Sequence, residues 1–169
     1  MSLHADLLRQ ARQLALKEPR RPSQASLRRA ISASYYALFH LLIDEATRRM
    51  FSGRDRTALR GCLGRAFVHA DMKRVAQQFS DGGVSPKLSP GMNGQAIQPE
   101  LTGVATTFVD LQQARHEADY DTTRRFTRPD VIDLVDRAEQ GFRDWATVRK
   151  SVQADVFLAG LLAVGNMRI

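Results

Sequence analysis

Apolar residues recur along most of the chain at steps of three and four, the period of an amphipathic α-helix. Leu3, Leu7, Leu8, Ala11, Leu14 and Ala15 fall on one stripe and predict a helix from Leu3 to about Lys17, which Pro19 and Pro22 stop. Ser23 or Ser26 is placed to cap a second helix. There Leu27, Ile31, Ser34, Tyr35, Leu38, Phe39 and Leu42 follow the same steps, so a wide face is buried. Leu59, Leu63, Ala66, Ala70, Val75 and Phe79 predict a third helix over roughly residues 55–79, with Cys62 as a small core residue among its apolar neighbours.

Residues 80–99 contain four of the chain's 11 glycines and three of its 6 prolines, which predicts a loop, functional or disordered at this length. Pro99 suits the first turn of a fourth helix, whose stripe of Leu101, Val104, Ala105, Phe108 and Leu111 reaches Arg115. A polar stretch, residues 116–126, separates it from the last helix. That helix starts where Thr127 can cap it, Pro129 fits its first turn and the charge of Asp130 favours its N-terminus. Val131, Leu134, Ala138, Phe142, Trp145, Val148 and Val152 continue its stripe. The apolar segment 156–164 prolongs it over a C-terminal extension, residues 151–169, and needs a cover, either a second subunit or the first helix. Strand signals are absent: β-branched residues do not cluster, and Asn93-Gly94 lies inside the loop. The pattern predicts an all-α bundle of about five helices in a single domain over residues 1–169.

Composition narrows the class. With 169 residues, 43% apolar and 25% charged, the chain has the balance of a globular protein with one core. Its net charge of +7 favours an anionic partner. Residues 1–60 carry the whole surplus and residues 61–169 balance to zero, so Arg28, Arg29 and their neighbours on the first two helices are candidate RNA-binding groups. A single cysteine excludes a disulfide framework and fits a reducing compartment. The charged N-terminus has no signal-peptide core, and the longest apolar run is about half of the ~20 residues a membrane span requires, so a cytoplasmic protein without membrane contact is expected.

Phosphate loops, dinucleotide fingerprints, zinc-protease pairs and nucleophile elbows are all missing. His4, His40, His69 and His116 form no ligand pair at helical spacing, so neither a metal nor another cofactor is expected. The chemistry concentrates instead in the segment from Ala114 to Asp121. Arg115 is a permanent cation with a forked donor set suited to phosphate, and His116 exchanges protons near neutral pH. Together they could cleave RNA without a metal, provided that the helix ends there or a second subunit supplies one of them, because adjacent helical residues point about 100° apart. The other arrangement open to the sequence is an Arg115–Asp119 ion pair at a helix end, with His116 exposed. On the second helix, Tyr36 and His40 lie one turn apart and read as core or interface packing with a polar tip.

The run from Arg29-Ala30 through Ser32-Ala33-Ser34-Tyr35-Tyr36-Ala37-Leu38-Phe39-His40, followed by Arg115 and Ala118-Asp119-Tyr120-Asp121, resembles the HEPN domain family over roughly residues 5–150. It is most similar to small bacterial members with a YYA-x-FH helix and an R-x-x-ADYD segment. The resemblance implies an up-and-down helical bundle, a homodimer, and a metal-independent ribonuclease site in which Arg and His of two subunits meet. Arg115 matches the family Arg. Tyr120 occupies a position where the family His is expected, and its phenol, with an ordinary pKa of about 10, is no general base at neutral pH. The implied catalytic set is therefore Arg115, His116 and Tyr120, supported by Tyr36, His40 and Asp119. The implied setting is a toxin or accessory component of a two-gene defence system. The alternative it implies is a catalytically inactive module that scaffolds a nucleotidyltransferase or another partner; in paired family systems such a partner modifies a nearby tyrosine.

Overall fold

The computed structural model describes residues 2–163 and Gly165, and among these the chain is all-helical, without a strand. Its seven α-helices are α1 (Leu3–Leu16), α2 (Gln24–Met50), α3 (Thr57–Gly64), α4 (His69–Ser80), α5 (Pro99–Tyr120), α6 (Arg128–Val148) and α7 (Val152–Ala163). Short 3-10 turns occupy Arg54–Arg56 and Ser89–Met92. No helix among the described residues is long and apolar enough to cross a membrane.

The all-α class expected from the period holds, and the count of about five helices is corrected to seven. The expected third helix is two. At its break the Arg65 and Ala66 amides reach back only three residues, to Cys62 O at 3.3 Å and Leu63 O at 2.9 Å, and Val68 is extended. Those short bonds tighten and end α3, and the chain turns to bury Phe67. Helix α3 buries no residue, so Cys62 and Leu59 are exposed rather than core. The last helix is also two. Ser151 donates its amide to Val148 O at 2.8 Å and its Oγ accepts the Ala154 amide at 3.1 Å, a new N-cap that starts α7 and leaves Val152 exposed. Within the expected loop, the turn at Ser89–Met92 tucks Leu88 and Met92 inside.

The contacts fall into two compact units. The first comprises residues 1–40 and 107–143. Ser23 caps α2, its Oγ accepting the Ser26 amide at 3.1 Å. From Ala30 to Phe39 every α2 residue except Tyr36 is buried, which makes this stretch a central helix with apolar contacts on nearly all sides. Around it Ala11 and Ala15 of α1, Leu27, Ala30 and Ile31 of α2, Ala118 of α5, Phe126, and Val131 and Val135 of α6 form one apolar cluster. Each fully buried Leu, Ile, Val or Phe contributes about 1.5–3 kcal/mol, so this packing outweighs any single cap. Arg12 ties α1 to α6 through Glu139 at 3.1 Å and Asp136, and Arg128 donates to the carbonyls of Ala15, Glu18 and Pro19 at the end of α1.

The second unit comprises residues 41–106 and 144–169. Its core pairs α7 with α4: the rings of Phe79 and Phe157 lie 4.9 Å apart. A Cβ on Gly160 would stand 2.7 Å from Leu88 and 3.0 Å from Val75, so the close approach depends on that glycine. Within this unit α4 and the Leu88 turn cover the C-terminal apolar segment; Val164 lies outside the described residues. Arg149 grips Glu45 through two bonds of 2.7 and 3.2 Å, and Arg49 pairs with Asp155.

Candidate phosphate site on helices α2 and α5

Within the first unit, one face of α2 meets the C-terminal half of α5. Ser32, Tyr35 and Tyr36 project from α2 at helical steps, and Arg115 and Asp119, four residues apart, project from the same side of α5. The expected polar connection after Arg115 is corrected: α5 continues to Tyr120. What ends it comes from α2. The Arg28 guanidinium donates to Ala118 O at 2.7 Å and Asp121 O at 2.8 Å, and also to Glu117 O and Arg124 O. Ala118 O is one of the carbonyls a helix end leaves without partners, Glu117 O also takes the Asp121 amide, and Asp121 O and Arg124 O lie just beyond the helix. Gln24 clamps Phe126 at both its backbone groups, accepting the amide at 3.0 Å and donating to the carbonyl at 2.8 Å. Asp121 Oδ1 accepts the Thr123 hydroxyl and the amides of Thr123 and Arg124; the Thr123 hydroxyl is the main reason that this carboxyl sits below its ordinary range.

Arg115 is the centre of the cluster. Its side chain is 18% exposed and its guanidinium carbon lies 5.5 to 5.8 Å from the ring centres of Tyr36, Tyr35 and Tyr120, a cation–π cage on three sides. Nη2 donates to the Tyr36 hydroxyl at 3.1 Å. Nε stands 2.7 Å from Asp119 Oδ2 as an ion pair, at an angle that leaves the buried N–H without a hydrogen-bond acceptor. Asp119 Oδ1 in turn accepts the Ser32 hydroxyl at 2.7 Å. Nη1 meets no acceptor among the described residues. Burial works to lower the guanidinium pKa, and the acidic groups that face it act in the opposite sense; the net direction is upward, so Arg115 stays a cation under all ordinary conditions. Burial pushes the Tyr35 phenol well above its ordinary value, so Tyr35 serves as a neutral wall of the cage.

The remaining sequence candidates divide. His116 is exposed and its ring centre lies 5.0 Å from that of Tyr120, which is itself exposed; being the next residue on a continuing helix, His116 points about 100° away from Arg115. Within one chain, then, the ion-pair arrangement left open by the sequence is the one present. His40 stacks on Tyr36 at 6.2 Å. Arg29 is exposed on α2, whereas the fork of Arg28 is committed to the end of α5. Sequence reasoning missed Ser32 and Tyr35 as members of the site, although both share a helical face with Tyr36. Beside Asp119 a surface groove of about 370 Å³ is lined by Gln24, Arg28, Ala118, Thr122 and Arg125. Among the described residues no group of three His, Cys, Asp or Glu side chains comes together in the manner of metal ligands.

No family model matches the chain, and neither a curated protein nor a solved structure matches it.

Proposed function

We propose that this is a HEPN-like RNA-binding protein that acts as a homodimer and grips a phosphate with Arg115. The observation that carries the reading is the caged guanidinium: three tyrosine rings flank it within cation–π distance, Tyr36 holds one donor, and Nη1 keeps donors for an anion oxygen. A cation fixed in this way loses little side-chain freedom when it binds, which favours recognition over a merely solvated Arg. His116 and Tyr120 stand together on the exposed side of the same helix turn, where a second subunit would bring a protonatable group toward a phosphodiester. In its enzymatic form the reading is metal-independent RNA cleavage, with Arg115 stabilising charge on the phosphorane and His116 moving the proton.

A short fluorescein-labelled single-stranded RNA tests it by anisotropy at low and moderate salt. Charge-assisted hydrogen bonds contribute about 1.5–3 kcal/mol, so Arg115→Ala should weaken binding roughly tenfold to a hundredfold. Insensitivity of binding to both salt and this substitution would remove the reading. Incubation of the RNA in excess chelator then separates a nuclease from a binder: cleavage lost in Arg115→Ala and His116→Ala is the enzymatic outcome.

A second reading, a non-catalytic module that scaffolds a nucleotidyltransferase or another partner, is favoured by the Arg115–Asp119 pair, which occupies the guanidinium inside its own chain.

A further inference from the structure

The Asp119 carboxylate stands where an anionic ligand would have to bind. One oxygen lies 2.7 Å from Arg115 Nε and the other accepts the Ser32 hydroxyl at 2.7 Å, so a single negative group bridges the cation and a buried donor as two phosphoryl oxygens would. The fit is imperfect. The buried Nε–H has no well-aligned hydrogen-bond acceptor despite the close charge, and a buried donor whose bond is unmade works against the closed arrangement. A ligand oxygen that approached in the guanidinium plane would recover that bond. Asp119 also has somewhere to go: it borders the surface groove that Arg125 lines, and Arg125 is exposed without a carboxylate partner among the described residues.

We infer that Asp119 is a built-in competitor for the anion site, holding Arg115 closed through its carboxylate and Ser32, and that an incoming phosphate opens the site by displacing Asp119 into the groove toward Arg125. The inference rests on the proposal that Arg115 binds RNA phosphate. It adds a threshold to that proposal: affinity for a phosphate is the difference between its own contacts with Arg115 and those of the carboxylate it replaces. A lone or weakly held anion leaves the site closed, whereas a phosphodiester already held by other cations has Arg115 as a nearby contact.

Anisotropy with the labelled single-stranded RNA distinguishes the two ideas. Asp119→Asn keeps an acceptor for Ser32 and removes the competing charge, so it should bind about tenfold more tightly than the native protein. Ser32→Ala, which frees one carboxylate oxygen, should move affinity in the same direction by a smaller factor. Adding Arg115→Ala to Asp119→Asn should abolish the gain. Asp133→Asn removes an equal charge from an exposed position on α6 of the same unit and should leave affinity within about twofold. An equal gain from Asp133→Asn, or a gain that survives loss of Arg115, would overturn the competitor role and reduce the effect to net charge. Native binding that depends on Arg115 but does not tighten in Asp119→Asn keeps the proposed function and refutes the inference. Binding that emerges only in Asp119→Asn supports both, and RNA bound by neither protein refutes both. Inorganic phosphate, followed through the Arg115 Nε–H resonance, provides a readout that a folding defect does not imitate: that resonance should shift at lower phosphate concentration in Asp119→Asn, and identical titrations would count against the inference.

Discussion

Arg28 shows how one side chain can look like a ligand group in the sequence and serve the fold in the structure. Its fork reaches four backbone carbonyls at and beyond the end of α5, and its plane lies 5.4 Å over the Phe126 ring. A single ammonium cannot span that set, so Lys is no equivalent here. Arg28→Met keeps the stem but leaves the carbonyls without a donor, and should cost about 2–3 kcal/mol in urea denaturation, with Arg28→Lys recovering only part of it. A variant of unchanged stability that bound RNA less well would return Arg28 to the ligand surface. Arg115 differs because its partners are side chains, one of them a carboxylate that another anion can replace.

At the scale of elements, the starts of α2, α5 and α6 were legible and the breaks within apparently continuous stripes were not, even where Ser151 caps α7. Ser23 before α2, Pro99 at α5 and the Thr127–Asp130 pair before α6 all stand in the sequence, and Asp130 Oδ2 does accept the Thr127 hydroxyl and amide. The break between α3 and α4 hides because Leu63 and Phe67 keep a four-residue step across it, although the backbone between them is not helical. The end of α5 hides for a different reason: its cap, Arg28, is about ninety residues away along the chain, and no local pattern records it. The same limit applies to the site: the Arg115–Asp119 pair, one helical turn apart, was readable as one of two arrangements, whereas the bond from Arg115 to Tyr36, 79 residues away along the chain, was not. The fit of α7 on α4 turns on Gly160, since Leu88 and the stiff Val75 crowd its missing Cβ. Gly160→Val should therefore lower stability by about 1–3 kcal/mol or more, read from the thermal midpoint, and an unshifted midpoint would show that the packing can yield.

Across the whole molecule the net charge of +7 shrinks as a measure of binding power once each cation is placed. Arg12, Arg28, Arg49 and Arg60 of the basic first third are engaged by carboxylates or backbone carbonyls, and Arg9, Arg48 and Arg56 pair with nearby acids. Arg20, Arg21, Arg29 and Arg54 remain exposed. Converting these four to Gln should leave the thermal midpoint nearly unchanged while it flattens the dependence of RNA affinity on salt, by about 0.7 in the log–log slope for each phosphate contact removed. An unaltered slope would exclude them from the interface and leave attraction to the cations near Arg115.

The guanidinium of Arg28 also guards the backbone. The peptide carbonyl of Arg124, one of its acceptors, belongs to the bond that a trypsin-like protease would cut between the exposed residues Arg124 and Arg125. A protease needs that segment extended and its carbonyl released, so cleavage requires the cap of α5 to let go first. The bond that shapes the turn beside Arg115 thereby makes the rate of cleavage after Arg124 a measure of how often that turn opens.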